Sequence, residues 1–332
     1  MTTYVFGAGA SRDAGYPLAN ELGKRLLEWA QQTNDNSELH GAGIRDLFDL
    51  YGSLDNLEQI LSELDECPAG SRVASLTPAQ RGLFDVHVRL GISEVFRSLR
   101  RKPAPFYVRL AREKARPGDV VITFNYDVAC ERELKRAGLW EISDGYGFHL
   151  EGIPVPPSQV SILKLHGSVN WLEVAFGGRR GLFQGSLNAF GSRPAIPAGE
   201  FEFFGYSSES RDPEAPLERF GALPAIITPT LKKRFYEQTP AGRELEPFWE
   251  NLWAQARHAL EASEKIVMIG YSMAAADEKA RSLLLSSPNR HVNLEVFCGG
   301  RTKPISDEFL ARGYSQVRTL GNCRCDDYLA TP

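Results

Sequence analysis

The sequence lacks any apolar run of the roughly 20 residues that a membrane-crossing helix needs. It also lacks a cysteine framework. Its 5 cysteines (Cys67, Cys130, Cys298, Cys323 and Cys325) are odd in number and irregularly spaced. That argues against a disulfide-stapled scaffold and fits free thiols in a reducing cytoplasm. Strong charge of one sign is missing too: 38 Lys+Arg stand against 42 Asp+Glu, for a net charge of -4. Such a balance argues against DNA or a membrane surface as the main partner, although a local patch can still bind either. The opening residues enter a strand pattern at once, without a charged and then apolar leader, so no signal peptide is expected. There is no internal repeat and no low-complexity linker. What is present is an ordinary globular composition, 42% hydrophobic and 24% charged over 332 residues, enough for a sizeable core without staples.

Short apolar strands recur along the chain. The first is Tyr4-Val5-Phe6, followed by Gly7-Ala8-Gly9-Ala10-Ser11 and an amphipathic stretch from Leu18 to about Gln31. That order reads strand, glycine loop, helix. Later strands are expected at 120–123, 162–165, 225–227, 266–269 and 294–297, with helical patterns at 127–137, 241–262 and 276–285. The alternation predicts an α/β fold, a Rossmann-like and mostly parallel sheet covered on both faces.

Two stretches interrupt the rhythm. Residues 35–116 read as a helical insert. Residues 170–224, rich in Gly, Pro and aromatics such as Trp171, Phe176, Phe183, Phe190, Phe203 and Phe204, read as a loop-rich or β-rich insert. Both are expected on one core spanning 1–332, not as separate domains. The helical insert is split in charge: 35–66 hold nine Asp/Glu and one Arg, while 97–116 hold eight Lys/Arg and one Glu. The plain reading is solvated helix faces that partly neutralise each other. The sharper one is a surface for a second subunit, a partner protein or nucleic acid.

The chemistry-bearing residues sit at strand ends, where open α/β sheets bind ligands. A strand ending in Gly-x-Gly lets backbone approach a phosphate, and the next helix offers free N–H groups. Gly7 and Gly9 fit the first two positions of a dinucleotide fingerprint; Arg12 stands where its third glycine belongs. An ordinary hydride-transfer enzyme is thereby disfavoured, and a plain tight turn is the competing explanation. The second strand end is Thr123-Phe124-Asn125-Tyr126-Asp127. Asn125 and Asp127 alternate with the aromatics and can share one side of an extended chain; Asp127 is equally suited to cap the following helix. The third is Leu165-His166-Gly167-Ser168, with a histidine suited to general-base work near neutral pH. The fourth is Gly270-Tyr271-Ser272-Met273, with Asp277 shortly after. Ser272 suits a phosphate or ribose, or the N-cap of a helix.

These motifs, in this order, resemble the sirtuin (SIR2-like) superfamily over roughly residues 4–300. The resemblance implies that Gly7, Ala8, Gly9, Ala10 and Ser11, joined by Tyr16, hold the pyrophosphate and nicotinamide ribose of NAD. It implies that Asn125 and Asp127 contact the nicotinamide ribose and carboxamide, that His166 is the catalytic base, and that Gly270 and Ser272 hold the adenosine half. The departures matter as well. Protein-deacylating sirtuins carry two Cys-x-x-Cys pairs for a structural zinc, whereas this chain has one Cys-x-Cys, Cys323-Arg324-Cys325, so no metal is expected. Their Gly-Ile-Pro-x-Phe-Arg loop is here Gly15-Tyr16-Pro17-Leu18-Ala19-Asn20, without the arginine. These differences are similar to those of bacterial antiphage-defence proteins that degrade NAD. The expectation is an NAD+ glycohydrolase releasing nicotinamide and ADP-ribose or its cyclic form. Alternatives are an NAD-dependent deacylase or ADP-ribosyltransferase, and a non-catalytic nucleotide-binding assembly subunit. The expected setting is cytoplasmic, as a homo-oligomer, with a separate ATPase or sensor subunit as a candidate partner.

Overall fold

Valine, isoleucine and phenylalanine in short runs favour strands buried on both faces, and the first of these runs seeds the sheet. A computed structural model describes residues 1–32, 38–142, 144–148, 158–174, 201–203, 222–230, 240–319 and 325–330. Strand β1 (Thr2–Phe6) leads through a short 3-10 turn at Ala8–Ser11 into helix α1 (Ala19–Gln32). Helices α2 (Glu38–Tyr51), α3 (Leu57–Glu66), α4 (Pro78–Leu99) and α5 (Pro105–Arg109) follow, the last running into a π-turn at Leu110–Lys114. The chain then makes β2 (Val120–Thr123), α6 (Ala129–Arg136), β3 (Ser161–Lys164), β4 (Gly167–Val174), β5 (Phe201–Phe203) and β6 (Ala222–Ile226). It continues through α7 (Pro240–Ala262), β7 (Lys265–Ile269), α8 (Glu278–Leu285) and β8 (Asn293–Phe297). It ends with α9 (Thr302–Ala311), β9 (Val317–Thr319) and α10 (Cys325–Ala330).

Six strands form a parallel sheet in the order β3-β2-β1-β7-β8-β9. Val5 of β1 lies opposite Ile122 of β2 and Met268 of β7, and all three are fully buried. Helices cover the sheet, so this is the expected Rossmann-like α/β fold. The chain works outward from β1 to β2 and β3, then crosses to the other side at β7. Strand order therefore reverses between β1 and β7, the place where such sheets open a ligand crevice.

The helical stretch folds as a packed layer. Helix α4 starts at a capping box: Gln80 N donates to Thr77 Oγ1, Thr77 N donates to Gln80 Oε1, and Pro78 occupies the first turn. Its Val88, Ile92 and Phe96 are buried with Leu26 of α1 and Ile44 of α2. The described parts of the aromatic insert are strands, in β4, β5 and β6, as a β-rich insert requires; the rest of it, including Phe176, Phe183, Phe190 and Phe204, lies outside the described residues.

Two differences from the sequence reading have physical causes. The run at Ala225–Ile227 was expected among the parallel strands. Instead β6 pairs antiparallel with β4 in a separate three-stranded sheet, β5-β4-β6. Pro224 has no N–H to give a central strand. Gly167, at φ +81°, turns the chain out of the main sheet immediately after β3. Strand β9 went unread because Val317-Arg318-Thr319 is a three-residue edge with a charge in its middle. Among the described residues no helix is long and apolar enough to cross a membrane.

Helix α1 crosses the chain before α3 at Gly23, where a Cβ would lie 1.8 Å from the Leu54 carbonyl oxygen. Gly23→Ala should therefore destabilise the fold by about 1–3 kcal/mol despite alanine's higher helix propensity. Urea unfolding of the purified variant checks this; an unchanged or raised midpoint would refute the close contact.

Candidate active site

The glycine loop is built against the loop that follows β7. Gly7 N donates to Ile269 O (3.1 Å) and Gly9 N donates to Gly270 O (3.0 Å). A Cβ on Gly7 would stand 2.5 Å from the Tyr271 Cα, and one on Gly9 would stand 2.7 Å from the Gly270 Cα. Gly270 itself has φ +65° and would press on Ala10 N at 2.3 Å if it carried a Cβ. The three glycines are thus required by backbone packing of two strand-end loops, whatever they do for a ligand. Gly7, Ala10 and Ser11 are buried, while Ala8, Gly9 and Gly270 keep a partly open face and Ser272 is exposed. That open edge is the surface available to a phosphate or a ribose.

The loop is also tied to the helical layer. Ser11 Oγ lies 2.9 Å from the Tyr107 hydroxyl of α5, and Phe106 N donates to Asp13 Oδ2 (2.7 Å). Burial pushes both the Tyr107 hydroxyl and the Asp13 carboxyl up from their ordinary values. Tyr16 is buried against Phe96 of α4, with ring centroids 5.2 Å apart. Cys325, at the start of α10, donates its thiol to Gly9 O (3.3 Å). Burial raises that thiol's pKa to about 12, so it stays protonated as a donor at neutral pH.

Asn125 leaves the end of β2 toward this loop. Its Nδ2 donates to Gly7 O (2.9 Å) and to Ser11 Oγ (3.1 Å). Asp127 accepts from Ala129 N at Oδ1 (3.0 Å), so it does help start α6. Asn125 faces the glycine loop, while Phe124 faces His166, with ring centroids 4.9 Å apart.

His166 sits just past β3. Its Nε2 is 3.5 Å from Asp277 Oδ1, and both side chains are buried. The Tyr271 hydroxyl donates to the other carboxylate oxygen, Oδ2, at 2.8 Å. Burial, then the Asp277 charge, drives the Tyr271 hydroxyl well above its ordinary pKa, which keeps it a donor. Phe124 stacks on Tyr271 at 4.4 Å between centroids and touches the His166 ring as well. Ser272 does not cap a helix. Helix α8 begins at Glu278 with Asp277 before it, so that explanation of Ser272 falls away.

Sequence reasoning missed a buried polar chain beside the site. Lys164, the last residue of β3, is fully buried and pairs with Glu131 of α6 at 2.7 Å. Its Nζ also donates to Asp127 O. The Tyr146 hydroxyl donates to Glu131 Oε1 (3.2 Å), Asn170 Nδ2 donates to Tyr146 Oη (2.9 Å), and Ser168 Oγ donates to Asn170 Oδ1. The chain runs from the Asn-Tyr-Asp segment to the His-Gly-Ser segment. A charged residue inside the Ile162-Leu163-Lys164-Leu165 run was the visible signal. Asp277 follows the Gly270-Tyr271-Ser272-Met273 run closely, but no local pattern assigns it a role.

Among the described residues no group of three or more His, Cys, Asp or Glu side chains is placed to hold a metal ion. Cys323 lies outside the described residues.

The sequence matches no protein-family model and no curated protein. Several solved structures are similar in chain course. One is Sir2 in complex with an inhibitor, 2'-O-acetyl-ADP-ribose and a deacetylated p53 peptide: TM-score 0.42, 12% identity, covering 99% of this chain and 91% of that one. Another is a Sir2 mutant with a p53 peptide and NAD, at TM-score 0.39 and 13% identity over 99% of this chain and 90% of that one. A third, described as a structural basis for the mechanism and regulation of Sir2 enzymes, gives 0.36 and 14% over 89% and 79%. All three are distant likenesses.

Burial pushes the Glu131 carboxyl up while Lys164 pulls it down. Lys164→Met should leave that carboxyl buried without its cation and cost about 3–5 kcal/mol. Adding Glu131→Leu should recover most of the loss. Thermal unfolding of both variants checks this, and equal melting temperatures for wild type and Lys164→Met would refute it.

Proposed function

We propose that this chain binds NAD+ across its strand-end loops and hydrolyses the bond between nicotinamide and ribose. The observation that carries the reading is one of position. The glycine loop, Asn125, His166 and the Gly270 turn end four neighbouring strands, β1, β2, β3 and β7, on the carboxyl edge of one parallel sheet. That edge, at the reversal of strand order, is where doubly wound sheets take dinucleotides. The sirtuin-like order of the motifs supports the same reading.

In this reading the partly open backbone of Ala8, Gly9 and Gly270, with the exposed Ser272, receives the pyrophosphate and adenosine half. Asn125 and Asp127 face the nicotinamide ribose and carboxamide. The C1′–N bond breaks with its electron pair going to nicotinamide, which leaves neutral, and positive charge gathers on the ribose as in glycoside cleavage. The buried carboxylate of Asp127 favours that charge in a setting that screens poorly. Water then adds at C1′, and His166 takes its proton. Capture by a ribose hydroxyl instead would give cyclic ADP-ribose. Protein deacylation and ADP-ribosyl transfer begin with the same bond cleavage, so an acetyl-peptide assay with NAD separates those readings from hydrolysis. A nucleotide-binding assembly subunit would bind NAD and release no nicotinamide.

The groups assigned to chemistry are nearly closed off: Asn125 is 8% exposed, Asp127 4% and His166 3%. Burial of that degree supports a resting state that must open before turnover. An NAD hydrolase in a cytoplasm needs such restraint, since unregulated turnover would deplete its own cell. We propose that the chain is an effector of antiphage defence by NAD depletion, opened by self-association or by a separate ATPase or sensor subunit. Full activity of a purified monomer alone would contradict that gate.

Asn125→Ala and His166→Ala should each lower nicotinamide release at least 100-fold while the protein stays folded. Losing the two hydrogen bonds of Asn125 should cost about 1–3 kcal/mol of stability in addition. Chromatographic measurement of nicotinamide, paired with melting temperatures, checks both; near wild-type turnover in both variants would overturn the assignment.

A further inference from the structure

Asp277 occupies the residue before α8, a position where an aspartate ordinarily accepts a hydrogen bond from the first turn of its helix. Here its side chain makes no such bond. The carboxylate is buried and directed away from the helix, with one oxygen on the Tyr271 hydroxyl (2.8 Å) and the other facing His166 Nε2 (3.5 Å). The turn that returns it there is strained. Met273 has φ +50°, a left-handed conformation uncommon for a residue with a side chain. Arg281 of α8 holds that turn by donating from Nη1 to Met273 O (2.8 Å). Phe124 wedges between the rings of Tyr271 and His166 and fixes both. A lost cap and a strained turn serve one outcome: a buried carboxylate facing a histidine.

We propose that Asp277, held in place by Tyr271, is the positioning residue for His166. Its carboxylate faces Nε2 at ion-pair distance and favours the proton on that nitrogen of the neutral ring, which leaves the lone pair on Nδ1. When the ring takes up a proton, the same carboxylate stabilises the imidazolium. The inference rests on the reading of His166 as the general base. Asp277 acts through His166 and touches no substrate.

The groups around the pair come from several elements. Tyr271 and Asp277 come from the turn after β7. Tyr126, from the end of β2, senses the Asp277 charge, and it also senses Glu58 of α3 and Asp85 and Arg89 of α4. Arg281 acts on Tyr271 and pairs with Glu308 of α9. Lys279 lies over Trp253 of α7, whose ring is 6.5 Å from that of Phe124. Asp277 is the one of these carboxylates that faces the His166 ring within ion-pair distance among the described residues.

The test is an NMR pH titration of the His166 imidazole in the whole protein, the resonance being identified by its loss in His166→Gln. Asp277→Asn should lower the His166 pKa by about one unit, a tenfold loss of proton affinity, because the opposing charge is gone. Tyr271→Phe should raise it, because the carboxylate loses a competing donor. The acid limb of the kcat/KM profile for nicotinamide release should move with each titration, kcat falling more than KM changes. An unmoved His166 pKa in folded Asp277→Asn overturns the proposal. If that variant does not fold, Tyr271→Phe decides alone: a raised pKa supports the pair and an unmoved one overturns it. A wild type that releases no nicotinamide sinks the function reading instead, and the titration still decides the pairing.

Discussion

Two strand-end loops touch through bare backbone where β1 and β7 finish. Gly9 N donates to Gly270 O, and neither Gly7, Gly9 nor Gly270 has room for a Cβ. This contact lies where strand order reverses, and the other parts of the site are referenced to it. Asn125 is oriented because its amide donates to Gly7 O. Tyr271 is held because its backbone lies against Gly7, and Tyr271 in turn holds Asp277. A side chain at any of the three glycines would push the two loops apart and disturb both walls of the site together.

The second constraint is the cost of burying charge. Lys164 and Glu131 are both removed from water beside Asp127, and a buried pair adds little net stability over an apolar pair. Its worth lies in geometry. Lys164 holds Asp127 O while Glu131 receives the Tyr146 hydroxyl, which leads through Asn170 to Ser168. The Asn-Tyr-Asp and His-Gly-Ser segments are thereby set relative to each other by hydrogen-bonded polar groups, which define position more sharply than apolar packing does. Ser11 and Asp13 extend the same logic to α5, so the helical layer bears on the glycine loop.

Periodicity revealed the strands at Tyr4, Val120, Ile162, Ile266 and Leu294, because strands buried on both faces are short continuous apolar runs. Their ends marked the candidate site, because loops at the carboxyl edge of a parallel sheet converge whatever their sequence separation. What could not be read depends on contacts far apart in the chain. Asp277 meets His166 across 111 residues, and nothing local distinguishes an aspartate that caps a helix from one that turns away. Ser272 resembled a cap because it follows a strand and precedes a helical pattern; the helix starts later, at Glu278. Gly7 and Gly9 look alike whether a phosphate or another loop demands them. The aromatic stretch after Val174 gives composition without period, and composition alone assigns no strand pairing.

The central claim is that four strand ends make one dinucleotide site. Hydrogen–deuterium exchange with and without a non-hydrolysable NAD+ analogue tests it most directly. The account predicts joint slowing of exchange at 7–16, 123–127, 166–168 and 270–273, saturating at a single analogue concentration. Binding that slows exchange elsewhere and leaves these four segments unchanged, or no binding at millimolar analogue, would contradict it.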